Sequence, residues 1–251
     1  MIPSERFSNR VSDYVSGRPG YPDAAVFWLA DTFELAPPAM IADIGAGTGI
    51  SSALLISHGY DVIAIEPNDA MRAAAVLRLG SDPQFRAIAA SAEATTLPDA
   101  SVDAVIAAQA FHWFDRRRFR AECLRILKPS GLAVLFWNVR RVGVGGFAFG
   151  YEALLREFST DYLAVRHENV VEAELASFFG GPYERALFEN VQELDHDGLR
   201  ARLLSSSYVP AKGAPRHDAM LAALDGLHAK HQQDGTVDME YDLHVYASRL
   251  G

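Results

Sequence analysis

Residues 41–50 read IADIGAGTGI: a short apolar run carrying Asp43, then glycines on alternate positions, Gly45, Gly47 and Gly49. Glycine gives up more backbone freedom on folding than any other residue, so three in five positions imply a tight turn or a ligand close to the backbone. A pyrophosphate-binding turn follows G-x-G-x-x-G/A. Gly45 and Gly47 fit that pattern, but the third small position is Ile50, and the third glycine falls one residue early. Asp43, two residues before Gly45, would repel a diphosphate and suit a cationic ligand.

Working outward, apolar runs alternate with helical patterns from about residue 22 to 139. MIADI (40–44), DVIAIE (61–66), FRAIAA (85–90), VDAVIAAQ (102–109) and LAVLFWN (132–138) are short and apolar, as buried parallel strands are. Helical segments lie between them. Gly59 is placed to end the first at its C′ position, and Asn68 and Asp115 are placed to cap the starts of later ones. Pro129 and Gly131 are expected to end the helix that Asp115 begins. This alternation predicts a parallel sheet with helices on both faces, whose ligand sits beyond the carboxyl ends of the strands.

After residue 139 the pattern changes. RRVGVGGFAFGYEALLREF opens on glycines and leads into helices up to about residue 180. YERALFENVQEL (183–194) is read as a strand, and two helical segments flank SSSYVP (205–210). In VDMEYDLHVYASRL (237–250), Val237, Met239, Tyr241, Leu243 and Val245 alternate with Asp238, Glu240, Asp242 and His244, the pattern of a half-buried antiparallel strand. The expected organisation is a nucleotide-binding core with an N-terminal lid segment (1–139), a mainly helical cap (140–231) and a strand returning to the core sheet (232–251). The glycines of 142–150 suggest a lid.

Glu66 ends the second strand and lies 21 residues after Gly45, where an acid can accept two ribose hydroxyls. With Asp43, it points to an adenosine-bearing ligand that carries an ammonium group and no diphosphate. ADIGAGTG, IEPNDAM, ASAEATTLPDASVDAVIAAQAFHWF and RILKPSGLAVLFWN, in this order, resemble the class I S-adenosylmethionine-dependent methyltransferases. Within that class the chain is similar to the small-molecule branch labelled type 11, including trans-aconitate methyltransferases, which DYVSGRPGYP (13–22) and SSSYVP also resemble.

The resemblance implies a Rossmann-like, mostly parallel seven-stranded sheet with an antiparallel C-terminal strand and S-adenosylmethionine as cofactor. It implies that Gly45 and Gly47 touch the cofactor, that Asp43 orients the loop or the ammonium group, and that Glu66 takes the ribose. Asn68 and Met71 would border the adenine. Where relatives carry an acid for the adenine amino group this chain has Ser91, leaving Ser91, Ala92 and Glu93 as candidates. Gln109 would face the reactive methyl, and Tyr14 and Arg18 would fold over the cofactor.

For the acceptor, His112 and Trp113 in AFHWFD (110–115) are expected at the pocket mouth, with His112 the candidate base for a hydroxyl. Tyr21, Trp137 and Asn138 are expected to line the same cavity. Arg18, Arg140 or Arg141 could clamp a carboxylate, although Arg140 and Arg141 read more naturally as solvated. The aromatic residues here favour an apolar or aromatic small acceptor, methylated on a carboxylate or hydroxyl oxygen. An inert S-adenosylmethionine-binding module and a nicotinamide-dependent oxidoreductase are the alternatives.

The bulk properties narrow the partners. The net charge of -9 over 251 residues disfavours nucleic acid. The single Cys123 leaves no pair for an intrachain disulfide, and the histidines and acids show no metal-ligand spacing. No signal segment or 18-residue apolar run is read, so the expectation is a cytoplasmic protein, monomeric or homodimeric, without a membrane partner.

Overall fold

The computed structural model describes residues 10–160, 162 and 172–250. Readings on residues 1–9, including the missing signal segment, and on part of the helical run before 180 lie outside them. Strand β1 (Met40–Ile44) lies between β2 (Asp61–Ile65) and β4 (Val102–Ala108), parallel to both. Beyond them come β3 (Phe85–Ile88) on one side, and β5 (Leu127–Arg140), β7 (Thr236–Arg249) and β6 (Glu184–Asp195) on the other. The seven-stranded order is β3-β2-β1-β4-β5-β7-β6, with β7 antiparallel to both neighbours. The chain reverses its direction of travel across the sheet between β1 and β4, so a crevice opens beyond their carboxyl ends, where the glycine loop begins.

Both faces of the central strands are buried, which is why they read as continuous apolar runs. Ile41, Val62, Ala104, Val134 and Phe136 pack into one core layer; Ile44, Ile65, Val105, Leu135 and Trp137 pack into the other. Helices α2 (Asp23–Phe33), α3 (Ile50–Ser57), α4 (Asp69–Leu79) and α5 (Arg116–Ile126) belong to this core. The Asn68 side chain accepts from the Met71 amide, and the Asp115 side chain from the Arg118 amide, so both expected caps form. Gly59 follows α3 with φ +85°.

One expected boundary moves. Helix α5 ends at Ile126, before Pro129, and β5 begins at once with Leu127 opposite Val102. The register then jumps to Ala104 opposite Leu132. Pro129 and Gly131 therefore shape a bulge inside a strand, with Ser130 at φ +63°, and do not terminate the helix.

Helices α6 (Gly146–Phe158), α8 (His196–Leu204) and α9 (His217–His231) form the cap, with a third apolar cluster of Tyr151, Leu155, Leu199, Leu203, Met220 and Leu224. Strand β7 joins cap to core: Val237, Met239 and Tyr241 enter the cap cluster, and Leu243 and Val245 the sheet core. Helix α7 (Glu172–Phe179) packs on the opposite sheet face. Helix α1 (Val11–Gly17) lies against α8 so closely that a Cβ on Gly17 would stand 2.4 Å from the Ala201 carbonyl carbon. Among the described residues, no helix is long and apolar enough to cross a membrane.

Candidate active site

All three loop glycines have positive φ, but each meets a different neighbour. A Cβ on Gly45 would lie 2.7 Å from Ala110 Cβ, and one on Gly49 would lie 2.9 Å from Leu79 Cδ1. Gly49 therefore serves the close packing of α3 on α4, which is why it sits off the dinucleotide pattern. At Gly47 a Cβ would meet only ordinary contacts, Met71 Cε at 3.6 Å and Tyr14 Cε1 at 4.0 Å.

Two carboxylates organise this loop. Glu66 accepts from the Gly47 amide on Oε2 (2.9 Å) and from the Asn68 amide on Oε1 (2.7 Å). Burial raises its pKa above the ordinary range, and those two amides oppose the rise. Each oxygen keeps a further acceptor position. Asp43 is fully buried; its Oδ2 accepts from Ser51 (2.7 Å) and Ser52 (2.6 Å), while Oδ1 has no partner among the described residues. Desolvation raises its pKa too, against the two serine hydroxyls.

A cavity of about 430 Å³ opens beside this loop. Tyr14, Arg18, Tyr21 and Ile50 line it, with Gln109, His112 and Trp113 from the segment after β4. Asn138, Val139 and Arg140 come from the end of β5, and Glu152, Tyr162, Arg202, Tyr208 and Tyr241 from the cap. Gln109 adopts φ +57°; its amide donates to Phe136 O (2.9 Å) and its side chain to Asn138 O (3.3 Å). The segment 111–113 forms a 3-10 turn that carries His112 and Trp113, their rings 4.8 Å apart.

The structure thus brings Tyr14, Arg18, Tyr21, Gln109, His112, Trp113, Asn138 and Arg140 to one cavity, beside the loop of Asp43, Gly45, Gly47 and Glu66. It moves others away. Trp137 is 4% exposed and packs edge-on against Phe111 and Tyr246 in the opposite layer. Neighbouring residues of a strand face opposite ways, so Trp137 and Asn138 cannot both line the cavity through their side chains. Glu93 accepts from the Asp115 amide (2.9 Å), at the start of α5. Ser91 forms an isolated bridge with Ala94, and Ala92 is buried; none of 91–93 lines the cavity. The Asn68 side chain is engaged as a helix cap, leaving Met71 beside Gly47.

The two arginines read as solvated separate. Arg141 does lie at the surface, paired with Glu189 and Asp242. Arg140 turns inward and binds Glu152 (3.0 Å) and the Tyr162 hydroxyl (2.8 Å). The sequence reading missed Arg202 altogether. It is 4% exposed and donates from Nε to Tyr241 OH at 3.0 Å. The available signal was helical spacing: Arg202 lies three residues from Leu199 and beside Leu203, on the face those leucines bury. Tyr208 and Glu152 were likewise unassigned.

Comparison with known proteins meets this geometry at the core. Residues 42–135 match the profile described as Methyltransferase domain. Residues 42–135 are a methyltransferase domain. The chain is 40% identical over 143 residues to an uncharacterised methyltransferase of Mycobacterium bovis, a match covering 55% of this chain and 54% of that protein. An uncharacterised methyltransferase-like protein of Schizosaccharomyces pombe is 38% identical over 141 residues, covering 56% and 54%. The chain thus spans about half the length of the relatives it matches. Among solved structures, a protein of Anaeromyxobacter dehalogenans described as a type II methyltransferase aligns over 92% of this chain and 97% of its own, with TM-score 0.67 and 26% identity. A Geobacter sulfurreducens S-adenosylmethionine-dependent methyltransferase, solved with S-adenosylhomocysteine, shares the fold at TM-score 0.53 and 20% identity, covering 94% and 93%. The methyltransferase domain replaces the nicotinamide alternative.

Proposed function

We propose that the chain transfers a methyl group from S-adenosylmethionine to an oxygen of a small organic molecule. The observation that carries the reading is one cavity of about 430 Å³, lined from Tyr14 and Ile50, beside the glycine loop, to Arg202 and Tyr208 in the cap. Its size suits a small molecule, and its walls join the methyltransferase domain to residues outside it. The same space argues against an inert binding module, whose acceptor pocket would be filled.

The loop fits the cofactor. The uncrowded backbone at Gly47, the spare acceptor positions of Glu66 and the Oδ1 of Asp43, unpartnered among the described residues, suit a ribose and a cationic amino acid end. Glu66 takes the ribose hydroxyls, Asp43 holds the loop against α3, and Tyr14 and Met71 flank the ligand. When bound, S-adenosylmethionine would supply a sulfonium-activated methyl carbon for in-line attack by an acceptor oxygen, with S-adenosylhomocysteine as the leaving group. The protein mainly aligns the two partners; such positioning contributes roughly 7–11 kcal/mol in well-oriented cases. Gln109, fixed by its hydrogen bonds to the end of β5, borders the reacting end. His112 accepts the proton when the nucleophile is a hydroxyl; a carboxylate acceptor needs no base.

The test is a screen of phenols and carboxylic acids with methyl-labelled cofactor. Label in a small-molecule ether or ester is the expected result, and His112→Ala should abolish it for phenols only. Failure to bind S-adenosylhomocysteine, or label confined to nitrogen or to macromolecules, retires the proposal.

A further inference from the structure

The cap end of the cavity holds more positive charge than its own acids answer. Arg202 donates to Tyr241 OH and Ser206 Oγ, and among the described residues no carboxylate pairs with it. Arg140 lies in register with Tyr241 across the β5–β7 ladder, which brings the two guanidiniums to one place. Among the described residues its Nε is buried without a partner, and its one acid, Glu152, also serves Arg156 (3.1 Å) and the Tyr162 hydroxyl (2.7 Å). Arg18 donates to Ser205 O (3.0 Å), has a buried Nε without a partner, and pairs with no carboxylate among the described residues. Among the described residues, three guanidiniums thus line one cavity and only Arg140 of them pairs with a carboxylate.

Burying like charges without counter-ions is costly, and a ligand that brings the missing negative charge removes that cost. The surroundings register the field. Burial raises the Tyr208 phenol, yet Arg140, Arg202 and Arg18 more than offset this and bring its pKa below the ordinary value. Burial and, to a smaller extent, Arg140 work against the charge on Arg202, while Tyr241, Tyr151 and Tyr208 more than offset them and hold its pKa above the ordinary value.

The opposite end of the cavity is chemically different. Asn138, whose carbonyl accepts from Gln109, precedes Arg140 by two residues, about 6.6 Å along the strand. Val142, Trp113 and Tyr208 line the same cavity. An acceptor that fills it has a flat or apolar middle and an anion at the cap end.

We propose that Arg140 and Arg202 form an anion subsite, and that the acceptor is an aromatic hydroxy acid whose carboxylate is held there while its hydroxyl faces Gln109 and His112. Arg202 is then a specificity-determining residue. This rests on the methyl-transfer reading and names its substrate class.

The experiment titrates 4-hydroxybenzoate, 4-hydroxycinnamate and the amide of each into the full chain saturated with S-adenosylhomocysteine, by calorimetry. Each acid is expected to bind at least tenfold more tightly than its amide. Arg202→Met should erase that preference while S-adenosylhomocysteine affinity stays unchanged, and Arg202→Lys should restore part of it. Where Arg202→Met does not bind S-adenosylhomocysteine, and so has not folded, Arg140→Met and Arg202→Lys read the same preference. Equal binding of acids and amides, no binding of either acid while S-adenosylhomocysteine binds, or an undiminished preference in the folded variants overturns the subsite. Labelled cofactor separates the two proposals. Acids that bind by the arginine-dependent preference but gain no methyl retire oxygen transfer and leave the subsite, whereas transfer to neutral phenols alone does the reverse.

Discussion

Glu66 carries two backbone amides, one on each carboxylate oxygen, and this symmetry makes it hard to replace. A glutamine in its place must turn an NH₂ toward either the Gly47 or the Asn68 amide, setting donor against donor. Hydrogen bonds to charged groups are worth about 1.5–3 kcal/mol, and the orphaned amide adds a desolvation cost. Glu66→Gln is therefore expected to weaken S-adenosylhomocysteine binding by roughly 10- to 100-fold, measured by calorimetry, with the fold retained. A drop of less than about threefold would mean that the ribose is held elsewhere. Much of this loop was legible in the sequence, because Asp43, the glycines and Glu66 are local features at strand ends. Glu93 was not: its carboxylate caps a chain segment 22 residues away, and nothing in ASAEATTLPD distinguishes that duty from adenine recognition.

Among the elements, α1 couples the two halves of the site. Tyr14 on α1 borders Gly47, and Arg18, the next residue after α1, reaches the Ser205 carbonyl beyond α8. Arg10 adds bonds to Leu204 O and Val209 O, both at 2.7 Å, and the Gln192 side chain donates to Gly17 O at 3.0 Å. The contact leaves no room at Gly17 for a side chain, since backbone, not a flexible tip, is what a Cβ would strike. Gly17→Ala should therefore push α1 off α8, at an overpacking cost of about 1–3 kcal/mol. It is expected to speed amide exchange in α1 and weaken S-adenosylhomocysteine binding together. Gly226→Ala is the contrast: this exposed glycine inside α9 has nothing within 4 Å of a Cβ, so the change should stabilise the fold by about 0.5–1 kcal/mol and leave binding alone. Helix and strand identities were readable because each has its own apolar period. The α1–α8 contact was not, because it joins residues 17 and 201 through the absence of a side chain. Trp137 shows the same limit in a strand: its apolar run marks burial, while which face it buries depends on the register with β4 and β7.

Across the whole molecule, two sets of carboxylates respond to acid in opposite directions. Asp43 and Glu66 sit at the cofactor loop with pKa values raised by burial, so they take up protons earlier than ordinary acids as pH falls. Their ionised forms are disfavoured in the folded chain, so their protonation costs the fold nothing and costs the cofactor its acceptor. Glu122 is the reverse. Burial would raise it, but Arg125 and both the hydroxyl and amide of Thr95 hold it down to about 2, from an ordinary 4.5. A depressed acid stabilises the fold above its unfolded pKa, and that contribution fades as pH falls from about 4.5 through about 2. Its size at neutral pH is on the order of 3 kcal/mol. Glu152, lowered by Tyr162 and Arg140 against its burial, adds in the same direction. Acid should therefore act in two stages: S-adenosylhomocysteine affinity declines first, with the fold intact, and thermal stability falls at lower pH. Glu122→Gln should lower the melting temperature at pH 7 and flatten its acid limb, without moving the pH at which binding weakens. Calorimetric affinity and melting temperature, both followed from pH 8 to pH 3, decide the matter: if the two losses coincide in the unmodified chain, the loop carboxylates and the structural ones do not titrate apart.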